Sequence, residues 1–177
     1  MASNELYDKL TATAREFVLS TSPKTAGGNE PDPDRFLAIV APEFKMSWGH
    51  KFFVSTKPGL QGEISGKDFV AHQGKMCSNL QTWEIVPTSI CVDVEKRSAV
   101  LRADFFMTAP NQDALLNDIV FWITMDEAGE KATGAKEFID AVASAELAER
   151  MKVGMHKDTT PSPADAAKGT DPGHLRS

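Results

Sequence analysis

Apolar positions recur at helical spacing in the first half of the chain and at a period of two in most of the second. From Glu5 to Ser20, Leu6, Leu10, Ala14, Phe17 and Val18 follow one another at three- and four-residue steps, which predicts an amphipathic helix with Asn4 as its cap. Residues 21–33 (TSPKTAGGNEPDP) concentrate Pro, Gly, Ser and Asn and predict a solvated loop. Asp32 or Asp34 then caps a short predicted helix through Arg35, Phe36, Ile39 and Val40, stopped by Pro42. Phe44 to Val54 predicts a first strand, with Trp48, His50 and Phe52 sharing one face, before a turn at Pro58-Gly59. A second amphipathic helix is expected over Lys67 to Asn79, burying Phe69, Val70, Met76 and Cys77, with Gly74 weakening it.

Four β-rich runs follow, at Thr82–Val94, Ala99–Thr108, Leu115–Met125 and Thr133–Asp140. Their connections are too short for parallel crossovers, which need about a dozen residues or more, so they predict an antiparallel meander. Ala141 to Lys152 closes the pattern as a helix rich in Ala, Glu and Leu. The expected fold class is α+β: a curved antiparallel sheet with N-terminal helices covering its concave face and a cavity between the two layers. One domain over residues 1–152 is expected, with 153–177, nearly devoid of core-forming residues, as a disordered tail.

Composition narrows the functional classes. The 177 residues suffice for one core, and 41% hydrophobic with 25% charged residues is a globular balance. A net charge of −6 argues against a nucleic-acid groove or an anionic membrane surface, both of which call for clustered Lys and Arg. Cys77 and Cys91 are too few for a disulfide framework and read as core thiols of a reducing, cytoplasmic compartment. The first residues, with Glu5 and Asp8, lack the basic-then-apolar pattern of an export signal, and the apolar runs are too short to cross a bilayer. No phosphate loop, nucleophile elbow or His-Glu-x-x-His motif occurs, and the four histidines are scattered, so neither cofactor nor metal is expected.

Together with this element order, the pieces DRFLAIVAPEF, GEISGKDFVAHQGKM, VLRADFFMT and GEKATGAKEFID give residues 5–152 a resemblance to SnoaL-like proteins of the nuclear-transport-factor-2-like fold. The resemblance implies a cone-shaped α+β domain that pairs as a homodimer through its open sheet. It also implies a set of activities that includes polyketide cyclases, fungal natural-product isomerases and limonene epoxide hydrolase, beside plain binding modules. Arg102-Ala103-Asp104 resembles the Arg-x-Asp element of limonene epoxide hydrolases, and Glu137, in Lys136-Glu137-Phe138-Ile139-Asp140, stands where that group and the cyclases carry a carboxylate on the last strand. Met46 and Trp48 stand where the hydrolases place a tyrosine and an asparagine to hold water. Neither replaces an asparagine as a water acceptor, which favours isomerisation, cyclisation or elimination over hydrolysis.

The chemistry of those residues is consistent with such a role. Arg102 and Asp104 project from one face of a strand, and a carboxylate from Glu137 brought across the sheet would share the guanidinium. Two carboxylates so placed have their pKa values driven apart into a general acid and a general base. The opposite face, with Leu101, Ala103, Phe105 and Met107, is the more apolar one, so Arg102 and Asp104 also read as a solvent-facing pair. Secondary candidates for substrate contact are His50 and Trp48 on the first strand, His72 on the second helix, Arg35 at the cone's mouth, and Asp118 and Trp122 on one face of a later strand. Each has a plainer reading as a surface or core residue. The expected function is a cofactor-independent acid–base enzyme that isomerises, rearranges or cyclises a hydrophobic small molecule in natural-product biosynthesis. Glu137, Asp104 and Arg102 are its expected catalytic group. Epoxide hydrolysis and a non-catalytic binding or dimerisation module are the alternatives.

Overall fold

In the computed structural model, which describes residues 2–157, the period-two region forms four long strands: β3 (Thr82–Asp93), β4 (Ser98–Thr108), β5 (Leu115–Met125) and β6 (Ala132–Phe138). Before them come α1 (Ala2–Leu19), α2 (Pro33–Ile39), β1 (Val40–Trp48), α3 (Lys51–Ser55), a 3-10 turn at Pro58–Leu60, β2 (Ile64–Ser65) and α4 (Gly66–Cys77); α5 (Ala141–Lys157) follows. The strands join in one sheet of order β2-β1-β6-β5-β4-β3. Neighbours from β6 to β3 pair antiparallel as expected, but β1 runs parallel to β6, so the sheet is mixed rather than wholly antiparallel.

Alternation decides which side chains face the helices. Along β4, Leu101, Ala103, Phe105 and Met107 are buried, and along β5 the same is true of Asn117, Ile119, Phe121 and Ile123. Phe17 of α1 anchors the helical layer on this face, its ring 5.6 to 6.1 Å from those of Phe36, Phe44 and Phe121, in tilted and edge contacts that aromatic quadrupoles favour. Thr13 adds a polar tie, its hydroxyl donating to the carbonyl of Gly129 at 2.7 Å in the β5–β6 turn.

Several boundaries differ from the sequence expectation. Asn4 lies inside α1 and is not its cap. Asp32 does cap α2, accepting from the Arg35 amide, but the helix ends at Ile39 and Pro42 lies inside β1. A proline fits there because the β1–β6 register is interrupted between Val40 and Lys45, so the ladder does not call on its missing N–H. The first strand consequently ends at Trp48, and the stretch expected to continue it turns into α3, with His50 as N-cap and Phe52 exposed to solvent. α5 continues to Lys157, past the expected end at Lys152; the rest of the expected tail lies outside the described residues. Cys77 is a core thiol, pushed up to about 12 by burial, but Cys91 is exposed on the edge strand. Among the described residues no helix is long and apolar enough to cross a membrane.

Candidate functional site

The end of β1 and the end of β6 bring one indole and one carboxyl together. Trp48 and Glu137 are register partners in the parallel pair, and the Trp48 Nε1–H donates to Glu137 Oε2 at 2.9 Å. Gly49 makes this approach possible. Its amide donates to the Glu137 carbonyl at 2.7 Å, and a Cβ on it would sit 2.0 Å from a ring carbon of Phe138. A larger residue would force the Phe138 ring out of its place.

Glu137 opens onto a cavity of about 190 Å³ between the sheet and α4 and α5. Phe69 and Met76 of α4, Phe105 and Met107 of β4, Ile119 and Phe121 of β5, and Leu147 and Met151 of α5 make most of its wall apolar. Protein crowds the carboxyl around this hollow, although the residue as a whole is only half-buried. Loss of hydration in that setting penalises the carboxylate and raises its pKa to about 7; the Trp48 bond, which favours the charged form, offsets only part of the effect.

His72 of α4 lines the same cavity, its ring 5.2 Å from that of Trp48 at a tilt of 54°. Burial lowers its pKa, and Lys75 one helical turn away adds to the lowering. The remaining polar lining is held by the fold. Gln73 donates to the Thr21 carbonyl at 2.7 Å. Asn117 donates to Ser144 Oγ at 2.9 Å and accepts from the Asp140 amide, latching the start of α5 to β5. Asp140 completes that latch by accepting from the amides of Val142 and Ala143 as the helix begins. Among the described residues no three His, Cys, Asp or Glu side chains gather as a metal-binding group.

Solved structures share this arrangement of helices and open sheet. BvnE pinacolase from Penicillium brevicompactum superposes with a TM-score of 0.68 at 15% identity, over 85% of this chain and 95% of that one. PrhC from Penicillium brasilianum gives 0.68 and 15% over 85% and 92%. An epoxide hydrolase from M. tuberculosis resembling limonene epoxide hydrolases gives 0.57 and 10% over 86% and 98%. The chain has the nuclear-transport-factor-2-like fold. No protein-family model matches its sequence, and no curated protein sequence does.

Within this nuclear-transport-factor-2-like cone the expected site residues divide between two faces of the sheet. Glu137, Trp48 and His72 meet at the cavity. Arg102 and Asp104 do not join them, which corrects the expected three-residue group. The burial of Leu101, Ala103 and Phe105 inside leaves the alternate positions outside. There Arg102 forms a bidentate ion pair with Asp118 of β5, with bonds of 2.5 and 2.8 Å. Asp118 and Trp122 face outward by the same alternation, so neither lines the cavity. Arg35 is likewise away from the cavity mouth, held on the surface by two bonds to Glu16 at 2.7 and 2.9 Å. His50 leaves the strand and packs edge-on against Phe138, its ring 5.3 Å away, beside a shallow outer hollow that includes Asp118. Gln73, Asn117 and Ser144 are polar cavity residues that pattern reasoning did not single out as contacts. For Asn117 the signal was present, since it has the same parity along β5 as Ile119, Phe121 and Ile123.

Proposed function

We propose that the protein is an acid–base enzyme that isomerises, rearranges or cyclises a hydrophobic small molecule, of the kind handled in natural-product pathways, with Glu137 as its proton donor. One observation carries this reading: a carboxyl with a pKa near 7 stands on the wall of an otherwise apolar cavity, oriented by a single indole N–H. A carboxylic acid that keeps its proton close to neutral pH can protonate a carbonyl, hydroxyl or epoxide oxygen that an ordinary glutamate would leave untouched. The apolar wall holds a neutral substrate and limits competition from water. Fold likeness to a pinacolase and an epoxide hydrolase is compatible with such chemistry. The reaction moves only protons and substrate bonds, so it calls for no resident metal or nucleotide.

Hydrolysis is the less favoured route. Met46 is fully buried, and Trp48 uses its only polar hydrogen on Glu137, so neither offers an acceptor to hold an attacking water. Conversion of a hydrophobic epoxide or hydroxyketone in water enriched in oxygen-18 separates the routes. A product isomeric with its substrate and free of label supports the proposal, whereas a labelled diol assigns the site to epoxide hydrolysis.

The outer face of the sheet suits pairing of two copies, because Val100, Phe106, Leu116 and Trp122 stay exposed around the Arg102–Asp118 pair. Light scattering should give twice the chain mass, and Trp122→Glu should return it to the monomer value.

A further inference from the structure

We infer that His72 is the proton acceptor that works with Glu137, the two groups serving one substrate laid against the indole of Trp48. This rests on the reading of Glu137 as proton donor and goes beyond it by assigning where the proton goes and which substrates can use the pair.

The argument begins with what the cavity wall contains. Among the described residues that line it, Glu137 and His72 are the two with an acidic or basic side chain. The other polar side chains are already engaged: Gln73 with the Thr21 carbonyl, and Asn117 with Ser144 and the Asp140 amide. Neither ring nitrogen of His72 hydrogen-bonds a described residue, so the imidazole can meet a ligand without breaking a structural contact. Trp48 links the two groups, its N–H bonded to the carboxyl and its ring against the imidazole. A flat or fused-ring molecule over that indole would lie within reach of an acid at one end and a base at the other.

Charge supports the pairing. Burial drives the two groups in the same sense, towards a protonated carboxyl and a neutral imidazole, the forms that an apolar wall penalises least. The groups facing His72 are Lys75 on its own helix, which disfavours the imidazolium, and across the cavity the uncharged Trp48 and Glu137, whose burial favours its protonated form.

The substrate class follows: a hydrophobic ketone with an acidic C–H beside its carbonyl. His72 takes the α-proton, the C–H electron pair becomes a C=C bond, and the carbonyl π pair accepts the Glu137 proton as an O–H bond. The site is then a carboxylate and an imidazolium. If the enol is conjugated, His72 returns its proton to the γ-carbon while Glu137 recovers the enol proton. The carbon–carbon double bond has then moved into conjugation and both residues are restored. No oxidant, reductant or added water enters.

Exchange of the α-hydrogens of 2-tetralone, a bicyclic ketone, in D2O tests the assignment by proton NMR without knowledge of the natural substrate. The wild-type protein should accelerate the loss of signal, with a rate that falls at low pH as His72 protonates and at high pH as Glu137 ionises. His72→Gln should lose about a hundredfold or more of the acceleration. His72→Phe, which keeps a ring against Trp48, should lose as much and also lose the acidic limb. Full exchange in both His72 variants, with Glu137→Gln inactive, would overturn the role of His72 and leave Glu137 as donor. Full exchange in Glu137→Gln, with the His72 variants inactive, would overturn the donor role on which the pair depends. A wild-type protein that does not accelerate exchange also overturns the proposal.

Discussion

The two faces of one sheet treat a carboxyl in opposite ways. On the inner face, Glu137 has among the described residues a single hydrogen-bond donor, Trp48, and no cation paired with it, and lost hydration lifts its pKa to about 7. On the outer face, Asp118 has the Arg102 guanidinium bonded to both its oxygens and open water around it, and its pKa is lowered. Strong pairing with an arginine is therefore not what makes a carboxyl useful as an acid at neutral pH. A bidentate cation locks the carboxylate form, whereas an apolar wall with one weak donor keeps the proton available.

The largest expected effect comes from removing the inner carboxyl. Glu137→Gln keeps the shape and the acceptor for Trp48 but carries no transferable proton, so the rate should fall by about two to four orders of magnitude with binding little changed. Steady-state kinetics check this: a fall in kcat at constant KM is expected, and a rise in KM alone would mean that the residue only binds.

The same substitution should alter stability in a pH-dependent direction. The folded pKa of about 7 exceeds the ordinary glutamate value of 4.5, so the folded state holds the Glu137 proton more tightly than the unfolded chain does. Stability from this group is complete below pH 4.5 and is lost as pH rises through 7, by about 3 kcal/mol in all. Urea midpoints should show wild-type protein losing stability over that window relative to Glu137→Gln. Parallel curves for the two proteins would place the carboxylate in a solvated setting.

Trp48→Phe gives a smaller change with a defined sign. The indole bond favours the carboxylate, so removing it should raise the Glu137 pKa further and move the alkaline limb of the rate profile to higher pH. An unmoved limb would mean that another donor takes over.

How much of this contrast was legible in the sequence depended on alternation. Strands β3 to β6 and helices α1 and α4 follow from their periods, because each buries one face and leaves a regular trace, and α5 follows from its content of Ala, Glu and Leu. β1 did not follow, since a proline at an interrupted register and an apolar run that turns into α3 obscure its period. For β4, the more apolar set Leu101, Ala103, Phe105 and Met107 does mark the buried face, and it places Arg102 outside. The resemblance to epoxide hydrolases pointed the other way, and packing of the inner layer decided between them. Glu137 was legible through the resemblance, which places a carboxylate on the last strand; the residues alone also allowed an edge-strand surface charge. Its pairing with Trp48 was not legible, because a parallel β1–β6 contact joins residues 89 positions apart and leaves no local pattern. His72 was visible only as a histidine near the apolar stripe of its helix, since its cavity partners lie on other elements.

The smallest expected effect is on the outer face. Arg102→Met removes a cation that is more than half exposed and partnered by a side chain itself about one-third exposed. In the single chain water screens such a pair, and the freed Asp118 can be solvated where it stands, so the monomer's stability should change little. Asp104, directly across the ladder from Asp118, would lose a shared cation as well, which makes local repulsion the main consequence. The rate on any substrate that Glu137 serves should stay within about twofold, because the sheet separates Arg102 from the cavity. A loss comparable to that of Glu137→Gln would show that the outer face takes part in the chemistry, with a second copy of the chain as the route, since Arg102 lies amid the exposed residues Val100, Phe106 and Trp122 of the proposed pairing surface.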